Sequence, residues 1–433
     1  MARMYEGASI AWTGKSVVIA STYDNADVCY FFQSVGASQW PREIVAAAGS
    51  TAPGVWANYQ NPAIAWTGTS VVIAGTDSNG NLNFWWQPAG SGGWPAPEQV
   101  AGATAGVRYL KPAIAWTDGS VVIAAADSNG NLNFWWQPAG STGWPAPQQV
   151  AGAPAGGVSY LNPAIAWTGS SVVITAADTN GNLYYWWQAA GATSWHRQPV
   201  VPDPEVRYVN PAIAWTGGSV VITATDGDGF LYYWWQKADT TTWHPETVAA
   251  GSTDVRYQNP AIAWTGTSVV ITAADSNGNL NFWWQAADTG TWHPRQQVAT
   301  SSEGFSFSDQ NPAIALAGGT VVIAVTSGSA EGVLYYWWQP IGSGRWNGQQ
   351  VAPILIDLSL PRPSDLHLAL AVRDDSRQTR AMSGRAAGSF ITALANPEFH
   401  PEYAAFSPGT NTLAVGSINS QDPGQRSGCV VVG

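Results

Sequence analysis

The stretch Asn61-Pro62-Ala63-Ile64-Ala65-Trp66-Thr67-Gly68, continued by Ser70-Val71-Val72-Ile73, Asp77-Ser78-Asn79-Gly80 and Leu82-Asn83-Phe84-Trp85-Trp86-Gln87, decides the fold. It holds three runs of β-branched or aromatic residues separated by Gly, Asn and Asp, the residues that close tight turns. A fourth run, Trp94 through Val100, completes the unit. Helical periodicity is absent, so the unit reads as four short strands joined by hairpins.

The unit recurs along the chain. Its first Trp stands at Trp12, Trp66, Trp116, Trp167, Trp215 and Trp264, with Leu316 in the seventh copy, at spacings of 54, 50, 51, 48, 49 and 52 residues. Four strands repeated seven times within residues 1–351 predict an all-β, seven-bladed β-propeller of four-stranded blades, because closing the units round an axis leaves only short, protected sheet edges. A linear solenoid would need polar caps on its end repeats, and here the end units are as apolar as the inner ones. The first unit begins at its own first strand and the seventh ends at its fourth, near Val351. No strand is shared between the termini, so closure is expected to rest on side-chain packing between blades one and seven.

Composition sets the remaining bounds. Of 433 residues, 45% are hydrophobic and 10% charged, which excludes a disordered acidic tail. A net charge of −11 and the lack of a basic stripe argue against nucleic acid. No apolar run is long enough to span a membrane, and Met1 to Trp12 lacks the pattern of a conventional secretory signal. The expectation is a soluble chain, cytoplasmic or exported by another route. Cys29 and Cys429 read as free thiols, with a terminus-to-terminus disulfide as the alternative.

All 26 Trp precede residue 352, and residues 352–433 depart from the repeat. Pro353, Pro361 and Pro363 mark a linker, and Arg373, Arg377, Arg380 and Arg385 a polar stretch. Phe406-Ser407-Pro408-Gly409 followed by Leu413-Ala414-Val415-Gly416-Ser417 resembles the strand pair of a WD-type repeat. This separate C-terminal segment is expected to carry extra β-structure or to dock a protein partner or a second copy.

Three phrases recur in register: Asn-Pro-Ala-Ile-Ala-Trp-Thr-Gly (Asn61 to Gly68, Asn162 to Gly169, Asn210 to Gly217, Asn259 to Gly266), Asn180 to Gln188, and Trp-His-Pro (Trp243 to Pro245, Trp292 to Pro294). Over residues 8 to 351 they resemble the Photorhabdus lectin-type family. The resemblance implies a seven-bladed propeller lectin that binds fucose and related, sometimes O-methylated, sugars between neighbouring blades.

Strand order supplies site geometry independently. In a four-strand meander, the hairpin between second and third strands and the connector to the next blade emerge on one face. The connectors offer Tyr59 and Asn61, Arg108 and Tyr109, Tyr160 and Asn162, Arg207, Tyr208 and Asn210, and Arg256, Tyr257 and Asn259. The hairpins offer Asp77, Asp127, Asp178, Asp226 and Asp275. A sugar needs such a mixture, since its hydroxyls demand paired donors and acceptors while its C–H face packs on a ring. Turn chemistry competes for Asp and Asn, and the restraint that Pro places on its predecessor competes for the connector Asn. A second set lies on the opposite face, where Trp94, Trp144, Trp195, Trp243, Trp292 and Trp346 open the fourth strands, either as sugar platforms or as caps on the blade edge. Lys111 replaces the connector Asn in blade three. Blades one and seven also depart from the pattern, so three to five junctions are expected to bind.

A glycosidase needs two carboxylates at one unique place, whereas here the polar groups repeat by blade, so multivalent carbohydrate binding is the expected function. A protein-docking scaffold is the main alternative and an enzyme the lesser one. His196, His244 and His293 stand on different blades and cannot gather round one metal, so no metal or other cofactor is expected.

Overall fold

The computed structural model describes residues 4–352, apart from residues 25, 53–54, 104–105, 201–204, 288, 302–304 and 329–331, together with five strands beyond residue 352. Residues 4–352 form seven sheets of four antiparallel strands, each in the order of the chain. Blade two is representative, with strands Tyr59–Trp66, Ser70–Asp77, Leu82–Pro88 and Glu98–Ala101. First strands touch those of the adjacent blades all the way round, Tyr5–Trp12 of blade one meeting Ala313–Ala317 of blade seven, so first strands line the axis. A small hairpin, Gly49–Ala52 with Val55–Ala57, decorates the connector from blade one to blade two.

Residues 353–433 belong to a second unit. Its described strands form one pair, Leu368–Arg373 with Thr379–Gly384, and one sheet of Pro401–Ser407, Thr412–Ile418 and Arg426–Val432. Pro408 and Gly409 of the WD-like phrase lie outside the described residues.

The core is divided among the blade junctions. Each of the seven buried clusters is shared by two adjacent blades. Alternation along the second strand produces this division: Val71 and Ile73 face blade one, whereas Val72 and Ala74 face blade three. The third strand obeys the same rule, with Trp85 on one face and Phe84 on the other. Both faces of each sheet are therefore apolar, which explains the density of large rings. Burial of one such ring contributes several kcal/mol, at roughly 25 cal/mol per Å² over about 150–250 Å².

A polar clamp joins the same interfaces. The third-strand Gln of each blade donates to the fourth-strand Glu or Gln of the blade before it, as Gln87 does to Glu43 at 2.8 Å and Gln188 to Gln148 at 3.0 Å. Gln137, Gln236, Gln285 and Gln339 repeat it with Glu98, Gln198, Glu246 and Gln296. The seventh clamp, Gln33 to Gln349, lies between blades one and seven. Ring closure without a shared strand thus uses the fastening found at every inner junction, plus the apolar cluster that includes Tyr5, Ile19, Phe31, Val322 and Tyr336.

Candidate functional site

Connector and hairpin meet at all seven junctions. The amide of Tyr109 donates to the carbonyl of Gly80, Tyr160 to Gly130, Tyr208 to Gly181 and Tyr257 to Gly229. Tyr59 to Ala26, Phe307 to Gly278 and Tyr5 to Gly332 complete the ring. The approach is tight, since a Cβ on Gly80 would stand 2.6 Å from Arg108 Cβ.

Most of the hairpin carboxylates are consumed by the turn itself. Asp77 Oδ1 accepts from the amides of Asn79 and Asn81, and Oδ2 from the side chains of Asn81 and Asn83. Asp127 and Asp275 have the same four donors, and Asp178 is likewise buried and held by backbone and side-chain donors. The connector tyrosines also turn inward. Tyr59, Tyr160, Tyr208 and Tyr257 are buried and Tyr109 is half-buried. Their rings meet those of Trp85, Trp186, Trp234, Trp283 and Trp135 edge to face at 5.1–5.2 Å. Burial raises the phenol pKa of Tyr59, Tyr109 and Tyr160, with smaller effects from nearby charges.

The second set of rings latches one blade to the previous one. Trp94 meets Tyr30 edge to face at 5.2 Å; Trp144 meets Phe84, Trp195 Phe134, Trp243 Tyr185, Trp292 Tyr233 and Trp346 Phe282 in the same way at 5.0–5.2 Å. All six residues are half-buried. Trp40 joins the series against Tyr336 of blade seven at 4.9 Å. The indole nitrogens of Trp94 and Trp292 donate to the clamp residues Glu43 and Glu246. Those of Trp144, Trp195, Trp243 and Trp346 are buried without a hydrogen-bond partner. The three histidines stack on neighbouring third-strand Trp rings, as His244 does on Trp235 at 4.1 Å.

The connector asparagines converge on the axis. Asn61, Asn162, Asn210 and Asn259 all have φ near +50° at a β-bulge just before Pro, a left-handed conformation that Asn tolerates better than most side chains. Asn162 donates through Nδ2 to Asn210 Oδ1, Asn210 in turn to Asn259 Oδ1, and Asn259 to the carbonyl of Gln310. An amide relay thereby crosses three blade junctions.

A notch opens on this face, between blades five and six. About 210 Å³ in volume, it is lined by Val209, Asn210, Asp226, Arg256, Gln258, Asn259 and Asp309 among others. The residues of hairpin five account for the opening. In blades two, three, four and six the second hairpin residue carries a hydroxyl that accepts the amide of its own connector: Ser78 from Asn58, Ser128 from Arg108, Thr179 from Ser159 and Ser276 from Arg256. Blade five has Gly227 there and cannot form that bond. Phe230 also stands where the other hairpins have Asn81, Asn131, Asn182 and Asn279. Asp226 consequently accepts only the amides of Asp228 and Phe230 and the hydroxyl of Tyr232, and is half-buried where its counterparts are buried. Arg207 and Arg256 of the connectors are exposed, as is Asp309. Arg108 is also exposed but its guanidinium donates to the carbonyl of Ser78.

The notch thus combines a guanidinium, two carboxylates and three side-chain amides, with Tyr257 in its lining. The connector residues Arg256, Tyr257 and Asn259 meet there as the strand order anticipates. Gln258 and Asp309, which the sequence reading did not single out, complete it. Among the described residues, no group of three or more His, Cys, Asp or Glu side chains is placed to hold a metal ion, and no helix is long and apolar enough to cross a membrane.

No protein-family model and no curated protein matches the sequence. Solved structures do share the fold. The lectin BP39L from Burkholderia pseudomallei matches with a TM-score of 0.61 and 17% identity, over 80% of this chain and 100% of its own. A prolyl endopeptidase matches at 0.52 and 9% identity, over 88% of this chain and 54% of its own. A puromycin-hydrolyzing peptidase of Mycobacterium tuberculosis matches at 0.51 and 11%, over 87% and 57%. At these identities the likeness is one of fold, and the resemblance to the Photorhabdus lectin-type family rests on the recurring phrases alone.

Proposed function

We propose that this chain is a carbohydrate-binding propeller whose principal sugar site is the notch between blades five and six, with fucose or a related O-methylated sugar as its ligand class. The observation that carries this reading is the chemistry of the notch. Arg256 donates, Asp226 and Asp309 accept, and Asn210, Gln258 and Asn259 do both, while Val209 supplies apolar surface. This mixture suits a pyranose, and the volume lies below the roughly 300–1,000 Å³ of pockets for larger ligands. The fold shared with a solved lectin, over all of that lectin and 80% of this chain, agrees with it. A shallow site of this kind binds weakly, with a Kd of roughly mM to tens of μM, because sugar–water hydrogen bonds are exchanged for sugar–protein ones. Multivalent engagement, with sites at several junctions acting together, raises avidity on a glycan-coated surface by about 10²- to 10⁴-fold.

A glycan array followed by calorimetry with free fucose tests the proposal. Arg256→Ala is expected to weaken binding by about tenfold or more, equivalent to about 1.4 kcal/mol, with the fold intact. A wild-type protein that responds to no glycan overturns it.

The pair Asp226 and Asp309 gives a second reading, since glycosidases act through two carboxylates. Asp226 is already fixed as an acceptor by three donors, which favours binding over acid catalysis. Turnover of aryl glycosides by the wild type, lost in Asp309→Asn, would favour hydrolysis.

A further inference from the structure

The connector into blade seven has two more residues before its proline than the connectors into blades two to six. Ser308-Asp309-Gln310-Asn311 separate Phe307 from Pro312, whereas only Gln258 and Asn259 separate Tyr257 from Pro260. The extra length carries the segment back over blade six, where side chains hold it. Ser308 donates through Oγ to the carbonyl of Ser276 at 3.3 Å, the amide of Asp309 donates to Gln258 Oε1 at 3.1 Å, and Asn259 Nδ2 donates to the carbonyl of Gln310 at 3.1 Å. Asp309 has a φ of +60°, a conformation that Asp and Asn tolerate better than other side chains. A residue of blade seven thereby enters the lining of the notch between blades five and six.

The charge of the notch follows from this contact. Asp309 is bonded through its backbone amide, and its carboxylate makes no hydrogen bond or ion pair among the described residues. The guanidinium of Arg256 is likewise without an ion pair among them, only its backbone being bonded. Asp226, by contrast, already has three neutral donors. With two carboxylates against one guanidinium, the lining carries a net charge of −1. Hairpin five adds Asp228 at its tip, between the lining residues Gly227 and Gly229, where other hairpins have Asn79, Asn129, Asn180 and Asn277. Two separate departures from the repeat, one in a hairpin and one in a connector, therefore add carboxylates at the same junction.

We propose that the notch prefers an amino-deoxy sugar to its neutral parent, with Asp309 as the specificity-determining residue that accepts from the ammonium group of the sugar. The inference rests on the notch being the sugar site and refines the class of its ligand. An ammonium presents three donors and no acceptor, so it suits an unpartnered carboxylate, and the pair gains a Coulombic attraction that a hydroxyl lacks. Arg256 and the side-chain amides remain for the ring hydroxyls.

Calorimetry at about pH 6, below the range in which amines lose their proton, compares L-fucose with L-fucosamine, in which an amine replaces one hydroxyl, and with N-acetyl-L-fucosamine, in which the same nitrogen is neutral. Fucosamine is expected to bind at least about tenfold more tightly than fucose and N-acetylfucosamine no more tightly, and the gain should shrink with added salt. Asp309→Asn keeps a residue suited to the left-handed conformation and keeps the backbone bond to Gln258, so it is expected to fold. In that variant the ratio of fucosamine to fucose affinity should drop to about twofold or less, whatever becomes of fucose binding itself. Fucose binding with no gain for fucosamine overturns this inference and leaves the sugar site standing, whereas no binding of any of the three overturns both. A gain that survives Asp309→Asn assigns the preference to the net charge of −11 and overturns the role of Asp309.

Discussion

Gln33 on the third strand of blade one donates through Nε2 to Gln349 Oε1 on the fourth strand of blade seven, at 3.1 Å and across 316 residues of chain. Gln349 Oε1 also accepts the indole N–H of Trp40, and its own amide donates to the Ser38 carbonyl at 2.6 Å. Gln349→Ala would strand two donors at the closing junction, at a cost of about 1–2 kcal/mol. Urea unfolding is expected to show this loss, with Gln87→Ala at an inner junction showing one of similar size. An unaffected Gln349→Ala beside a destabilised Gln87→Ala would mean that the clamp does not contribute to closure.

Alkaline pH is expected to weaken the propeller. Burial pushes the Cys29 thiol up to about 11 and raises the phenols of Tyr5, Tyr30, Tyr185, Tyr233 and Tyr336 well above their usual range. The folded state holds these protons more tightly than the unfolded chain, so the associated stability is fully present below about pH 8 and is lost progressively as pH rises above it, first through the thiol and then through the phenols. The urea midpoint should fall between about pH 8 and about pH 10.5, and phenolate absorbance should rise with unfolding rather than before it. Phenolate formation in the still-folded protein at about pH 10 would contradict the assignment of these rings to the core.

The repeat made the blade count, the strand order and the meeting of connector with hairpin legible, because side-chain alternation and turn residues act locally. Side-chain direction within the junction was less accessible. Tyr208 reads as a ligand candidate from its place in the connector, yet its ring meets Trp234 of the same blade and lies in the core. Asn210 reads equally as a turn residue or a sugar ligand, and its role in the amide relay depends on Asn162 and Asn259, each about one blade away. The clamp between Gln87 and Glu43 spans 44 residues and has no local signature. The Gly227 and Phe230 departures were visible in the sequence, but their effect appears only once the missing hydroxyl and amide are placed beside the bonds made in other blades.

Gly80→Ala tests the contact between hairpin and connector. Its φ of +87° strains any Cβ, and that atom would meet Arg108 Cβ at 2.6 Å and Cα at 2.9 Å. A loss of more than about 1 kcal/mol in stability is expected, since both backbone strain and overpacking act at this position. Gly90, with a φ of +77° and nothing within 4 Å, is the control for strain alone and should cost less when replaced by Ala.

The most direct measurement is calorimetric titration of fucose into the wild type and into the double variant Gly227→Ser/Phe230→Asn. The two substitutions give hairpin five the hydroxyl and the amide found in blade two, and Gly227 has open space and no left-handed φ to oppose a side chain. The repaired hairpin should close over Arg207 and tie up Asp226, leaving the protein at least as stable and its fucose affinity at least about tenfold lower. Unchanged fucose affinity in a correctly folded double variant would contradict the notch between blades five and six as the principal sugar site.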